Sequence, residues 1–331
     1  MAKTVDAAFS EFMENTVNLY SEDTKTARAS RDNLIENICG FSSDNDFFNV
    51  YSEHNLKYGS FARRTKIRPL DDIDLMICFS AVNNDQRRTY CEYDDTDIHI
   101  SGIQFDYDNS LVTIDTCDLN STKVINRLIS RLSRLNDYSK AEMHKNQEAA
   151  TLKLKSYTWN FDIVPCFYTE SGVYLIPNGS GNWKKTDPRI DNERTTRINQ
   201  IHDGRLLNII RLIKFWNSQK HTVRIPSYML ECMVLSIYEN IPQKGRYRLG
   251  TEICELFGKL SLSILSSVYD PKGIQGDLNS LYFSDRLKIS SALKDANKKA
   301  VEAANLEYSN IKGAIGKWSE IFGNSFPKFT D

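Results

Sequence analysis

The chain has no excess of charge of either sign. Its 331 residues carry 42 Lys and Arg against 43 Asp and Glu, a net charge of −1. That balance argues against a strongly basic grip on a polynucleotide. The seven cysteines (39, 78, 91, 117, 166, 232, 254) are scattered, odd in number and never spaced C-x-x-C. Neither a zinc ribbon nor a disulfide framework is suggested, and the pattern fits a reducing cytoplasm. The five histidines are isolated from one another, and none is assigned to catalysis. No apolar run reaches the length needed to span a bilayer. The opening MAKTVDAAFSEFMENTVNLY is too polar and acidic for a signal peptide. No internal repeat or low-complexity tract is present. The expectation is a soluble cytoplasmic protein with no membrane partner and no stable nucleic-acid partner.

What the chain does contain is the run KYGSFARRTKIRPLDDIDLMICF. Gly59 has no side chain to block close approach of a phosphate. Ser60 adds a hydroxyl and opens a predicted helix, Ser60 to Arg64, whose first N–H groups are free for an anion. The apolar run Ile73 to Phe79 reads as a buried strand. Alternation along it puts Asp72 and Asp74 on one face and Ile73 and Leu75 on the other, with Asp71 turned to solvent. Side by side, two carboxylates repel unless something positive sits between them. Oxygen ligands at this spacing suit Mg²⁺ together with substrate phosphates. The bland reading, a charged strand entrance, loses weight because the Gly-Ser turn stands so close. A third carboxylate comes from TWNFDIVP: Asp162 is an isolated charge among Phe161, Ile163 and Val164. Such a group is costly unless paired or metal-bound; a salt bridge is the alternative. The preceding Thr151 to Lys155 alternates polar and apolar, as a half-buried strand does. The cluster Arg63-Arg64-Lys66-Arg68 could focus an anionic substrate or simply be a solvated face.

These motifs resemble the polymerase-β-like nucleotidyltransferases, and within them the CD-NTases of bacterial anti-phage (CBASS) operons, relatives of cyclic GMP-AMP synthase and oligoadenylate synthase. The Gly-Ser turn, Asp72-x-Asp74 and FDIVP carry the catalytic half of the resemblance. LIPNGSGNWKKTDPR (Leu175 to Arg189), DGRLLNIIRLIKFWN (Asp203 to Asn217), IPSYMLE (Ile225 to Glu231) and GKWSEIFGNSFP (Gly316 to Pro327) extend it through the remainder. The resemblance implies two Mg²⁺ ions (or Mn²⁺) on Asp72, Asp74 and Asp162. With them a ribose hydroxyl would attack the α-phosphorus of a donor ribonucleoside triphosphate, release pyrophosphate, and close a cyclic di- or trinucleotide in a second round. It implies that Gly59 and Ser60 hold the donor triphosphate, that Lys214 and Ser227 contact its phosphates, and that Tyr228 stacks on a base. Read from spacing alone, Lys214 is a surface lysine and Ser227 a helix N-cap after Pro226. Asn178 is either a specificity residue near the acceptor base or a plain turn asparagine. An effector protein reading the nucleotide signal would be the downstream partner. Animal relatives carry a zinc-binding insertion for which this chain shows no ligand set. Two other classes stay open: a transferase acting on RNA ends, linear oligonucleotides or proteins with the same core, and a catalytically silent nucleotide-binding protein.

The expected fold class is α+β: a polymerase-β-like nucleotidyltransferase core, a mixed sheet with helices, packed on a C-terminal helical lobe with the active site in the cleft. Residues 1–180 would form the catalytic lobe with N-terminal bracing helices, and 181–331 the helical lobe. At this length the chain can bury a substantial core. Residues 5–39 read as two helices, with Phe9, Phe12, Met13, Val17 and Tyr20 on one stripe. Residues 83–110 read as an acidic hairpin insertion, Leu111 to Ile114 as a strand, and Val124 to Leu135 as an amphipathic helix. Ser284 to Leu306 and Ile311 to Phe322 close the chain as helices.

Overall fold

The computed structural model describes residues 2–43, 47–83, 85–102, 110–219, 223–242 and 247–330. In chain order come α1 (Val5–Phe12), a π-helical turn (Met13–Val17), α2 (Ser21–Cys39), β1 (Leu56–Lys57), α3 (Gly59–Ala62) and β2 (Asp72–Cys78). Short strands β3 (Val82–Asn83), β4 (Gln86–Arg87), β5 (Tyr90–Asp94) and β6 (Asp97–Ile100) precede α4 (Ser121–Leu132). Next are β7 (Glu142–Asn146), β8 (Ala149–Lys153), β9 (Asn160–Tyr168), β10 (Tyr174–Pro177) and β11 (Trp183–Thr186). The helices α5 (Pro188–Ile201), α6 (Leu206–Ser218), α7 (Ser227–Glu239), α8 (Leu249–Ser263), α9 (Phe283–Leu306) and α10 (Ile311–Phe322) follow. The chain divides into two units, one of Ser21–Arg63 and Leu70–Asn192, the other of Met1–Tyr20, Arg64–Pro69 and Glu193–Asp331. The two N-terminal helices thus fall in different units, and the division lies within α5.

The first unit is built on a nine-stranded sheet in the order β1-β2-β9-β10-β11-β6-β5, with β7 and β8 joined through β8 to β9. It is the mixed sheet expected of the fold class: β2 and β9 run parallel, while β1–β2, β8–β9 and β9–β10 are antiparallel. The nine-residue β9 pairs with β2 along one edge and successively with β8 and β10 along the other. Helix α4 packs on β7 to β10. Its buried stripe Val124, Ile125, Leu128 and Leu132 has helical spacing, and it starts three residues before the predicted stripe because the Asn120 side chain caps it, accepting from Lys123 N at 3.1 Å. Leu111 to Ile114 is not a strand. It makes one isolated bridge, Val112 to Leu119, after which Cys117 N turns back onto Thr113 O, and Ile114 is 89% exposed. Strands β5 and β6 form the acidic hairpin; Asp106 and Asp108, assigned to the same insertion, lie outside the described residues.

In the second unit Thr4 caps α1, accepting from Ala7 N at 3.1 Å. Phe9 and Phe12 are buried and meet Trp318 and Phe215 with ring centroids 4.8 and 5.1 Å apart. Burial of each such ring contributes about 1.5–3 kcal/mol. Met13 and Val17 continue the stripe, whereas Tyr20 stands 56% exposed. Helix α9 packs along α8 and α10. Among the described residues no helix is long and apolar enough to cross a membrane.

Asp270 organises the loop between α8 and α9. Its side chain is fully buried; Oδ1 accepts from Lys272 Nζ at 2.7 Å and Tyr228 Oη at 3.1 Å, and Oδ2 from Gln275 N at 3.0 Å. Burial works to raise its pKa, but the Lys272 ammonium and the backbone donors prevail, and the carboxyl lies below its ordinary value. A depressed folded-state pKa gives stability that is present above the unfolded value of about 3.9 and lost as pH falls through the folded value. Asp270→Asn is therefore expected to lower the melting temperature at neutral pH and to flatten its decline below about pH 4. Thermal melts across that range check this; an unchanged acid slope would contradict it.

Candidate active site

Strands β2 and β9 pair with Asp74 opposite Asp162 and Asp72 opposite Asn160. Because side chains alternate along both strands, Asp72, Asp74 and Asp162 share one face. Ile73, Leu75, Phe161 and Ile163 are buried on the other. One carboxylate oxygen from each Asp lies within 4.8 Å of the other two, and all three residues are half-buried. At an effective dielectric of about 20, two like charges at that separation oppose each other by about 3–4 kcal/mol before nearby water screens them. Stability alone does not favour such a cluster. A divalent cation between the groups reverses the sign, and three hard oxygen donors match Mg²⁺ or Mn²⁺. The three residues can hold a metal ion.

The Gly-Ser turn is built against this cluster. Strand β1 pairs with β2 through Leu56–Met76 and Lys57–Leu75, and Tyr58 N reaches Asp74 O at 3.5 Å. Gly59 follows with φ +74, and a Cβ there would stand 1.7 Å from Asp74 Oδ2. A glycine is thus required twice, for its backbone conformation and for the carboxylate packed on it. The helix predicted from Ser60 to Arg64 is the single turn Gly59–Ala62, ended by Arg64 at φ 60.

Two residues beside the carboxylates were not singled out from sequence. Tyr58 is half-buried against Met76, Cys78, Ala149, Val164, Cys166 and Tyr174. Burial, then the charges of Asp74 and Asp162, push its phenol well above the ordinary value, so it stays neutral. Thr151 faces Asp162 across β8–β9, and its Oγ1 donates to Asp162 Oδ1 at 2.5 Å. The alternation of Thr151 to Lys155 assigned the strand, but the register against β9 is a tertiary fact. Cys78 and Cys166 are buried core residues, as their apolar runs suggested.

Lys214, Ser227 and Tyr228 belong to the helical unit, Asn178 to the sheet unit. Lys214 is not the surface lysine that spacing suggested. It is 8% exposed, and its Nζ donates to Glu231 Oε1 at 2.7 Å. Glu231, one helical turn past Ser227, is 2% exposed. Removing one partner of a buried pair strands the other charge, so Glu231→Ala is expected to cost about 3–5 kcal/mol. Replacing Lys214 with Met as well should recover much of the loss. Chemical denaturation of the single and double variants measures this, and equal stability of Glu231→Ala and the parent would contradict it. Ser227 is the first helical residue of α7 rather than its cap; the extended Pro226 holds the N-cap position. Tyr228 is half-buried, its hydroxyl on Asp270 and the Lys272 ammonium 4.4 Å from its ring centroid. Asn178 performs a turn's work: Oδ1 accepts from Ser180 N and Asn182 N at 2.9 and 3.2 Å, and Nδ2 donates to Thr96 O at 3.2 Å.

Residues 94–199 match the Second Messenger Oligonucleotide or Dinucleotide Synthetase domain. The chain is 43% identical to a probable cyclic nucleotide synthase of Bacillus cereus over the full length of both proteins. A cyclic AMP-AMP-AMP synthase of Acinetobacter is 27% identical over 59% of this chain and 58% of its own. The fold matches E. coli MS115-1 CdnC, solved with ATP, at a TM-score of 0.70 and 17% identity, covering 97% of this chain and 98% of that one. CdnC has also been solved in complex with a HORMA partner, at a TM-score of 0.69 and 18% identity, with 97% of each chain covered. The 43% identity over full length to a probable cyclic nucleotide synthase, the domain match and the shared fold together place this chain among the cGAS/DncV-like nucleotidyltransferases, the CD-NTase family of cyclic oligonucleotide synthases.

Proposed function

We propose that the enzyme joins ribonucleoside triphosphates, ATP among them, into a cyclic di- or trinucleotide second messenger with release of pyrophosphate, and that it serves bacterial anti-phage signalling from the cytoplasm. The observation that carries this reading is the convergence of Asp72, Asp74 and Asp162 within 4.8 Å beside the Gly59 turn. In support, the Acinetobacter relative is named for a cyclic trinucleotide of AMP, and CdnC was solved with ATP.

In this mechanism Asp72, Asp74 and Asp162 would hold two Mg²⁺ or Mn²⁺ ions. Such ions, when bound, would supply charge neutralisation at the phosphoryl oxygens and would lower the pKa of the attacking hydroxyl. The turn at Gly59 and Ser60 orients the donor triphosphate, with no side chain at Gly59 to obstruct it. A ribose hydroxyl of the acceptor attacks the donor α-phosphorus, the O–Pα bond forms, and the bond from Pα to the bridging oxygen breaks as pyrophosphate leaves. Asp162 is the carboxylate assigned to favour loss of the hydroxyl proton. Lys214 and Ser227 contact the donor phosphates. Lys214 would do so with the ammonium protons not directed at Glu231. Tyr228 stacks on a base and Asn178 lies near the acceptor base. A second attack by the free ribose hydroxyl closes the ring, and an effector protein reads the product.

The test is mass spectrometry of small products from the full chain incubated with the four ribonucleoside triphosphates and Mg²⁺ or Mn²⁺. It is run alone and with a HORMA-type partner, since CdnC forms such a complex. A phosphatase-resistant cyclic oligonucleotide, absent when Asp72 and Asp74 are both Ala, is the expected result. Nucleotide transfer only to added RNA or to a polypeptide would overturn the proposal.

A further inference from the structure

Thr151 sits in the middle of β8, and it is 4% exposed. Its strand neighbours Ala150 and Leu152 are buried too. At such a position Val is the better strand former and brings no hydroxyl to satisfy. A hydroxyl buried in a sheet is costly unless it has a partner. The partner of this one is Asp162 Oδ1, which accepts from it at 2.5 Å. The strand register brings the two side chains together, because Thr151 and Asp162 are directly opposed in an antiparallel pair. On the other side of Asp162 runs β2 with Asp74, whose Oδ2 is in turn bounded by the Gly59 backbone.

We infer that Thr151 is a positioning residue for the third carboxylate. By engaging Oδ1, its hydroxyl fixes the rotation of the Asp162 side chain and keeps the carboxylate turned toward Asp72 and Asp74. The inference rests on the reading of Asp162 as a metal ligand. Outer-sphere partners of ligating carboxylates act in this way, and their loss weakens metal binding without removing a ligand. The other oxygen, Oδ2, keeps its lone pairs for the ion.

The experiment compares the full-length parent with Thr151→Val, Thr151→Ser and Asp162→Asn. Mn²⁺ binding is titrated by electron paramagnetic resonance in the presence of α,β-methylene-ATP, and turnover is followed separately against Mn²⁺ concentration. Thr151→Val keeps shape and strand propensity but removes the donor. It is expected to weaken Mn²⁺ binding by about 10- to 100-fold, with turnover recovering as Mn²⁺ is raised. Thr151→Ser should restore both quantities, and melting temperatures of all variants should stay close to the parent's. Parent-like Mn²⁺ binding by Thr151→Val, with binding lost in Asp162→Asn, would overturn this inference alone. Parent-like binding by Asp162→Asn would overturn the metal-ligand reading of Asp162 and this inference with it.

Discussion

Replacing Asp72 or Asp74 with Asn should reduce product formation by about a thousandfold or more, equivalent to about 4 kcal/mol of barrier, while leaving the fold intact. Each carboxylate lies within 4.8 Å of two others. In the proposed mechanism, removing one charge takes away a ligand for the catalytic cation; it also relieves repulsion in the metal-free protein. The two consequences have opposite signs for activity and for stability. Without metal, the melting temperature of either variant should stay level or rise. A structural role for the cluster predicts a fall in stability instead. Pyrophosphate release and thermal melts on the same preparations separate the two, and full activity in either variant would sink the mechanism.

The second large effect is expected at a residue with no side chain. In Gly59→Ala, the new Cβ would stand 1.7 Å from Asp74 Oδ2 at a backbone φ of +74. Left-handed backbone costs a non-glycine residue about 1–2 kcal/mol, and the overlap forces either the turn or the carboxylate to move. Displacement of a reacting group by about 1 Å can reduce rate by about 100-fold, so activity should fall by that order with a modest loss of stability. Ser60→Ala, which leaves the backbone unchanged, should cost less. If Gly59→Ala retained more than half of the activity, the close packing of the turn on Asp74 would have no bearing on catalysis.

The carboxylate set was legible in the sequence because strand alternation is a local rule. Asp72 and Asp74 had to share a face, and Asp162 was a lone charge in an apolar strand. That Asp162 would lie opposite Asp74 on a parallel neighbour depends on register between segments about ninety residues apart, which periodicity does not encode. The Thr151 hydroxyl went unread for the same reason. Lys214 shows another limit. On an apolar helix, spacing alone marks a lysine as a surface residue that snorkels to water, and only the neighbouring α7 supplies Glu231 as a buried partner. Leu111 to Ile114 had the composition of a strand, but Cys117 takes up a left-handed turn at φ 57 that folds the segment back on itself. Of the helices, α9 and α10 begin and end within one residue of the sequence-based ranges, whereas α4, read as Val124 to Leu135, begins and ends three residues earlier.

The most direct test of the central claim is anomalous diffraction from crystals of the full chain grown with Mn²⁺ and α,β-methylene-ATP. The account predicts Mn²⁺ peaks coordinated by Asp72, Asp74 and Asp162, with the triphosphate running from the metals to the Gly59–Ser60 turn. Nucleotide bound away from these carboxylates, or an anomalous map with no Mn²⁺ beside them while nucleotide is present, would contradict it.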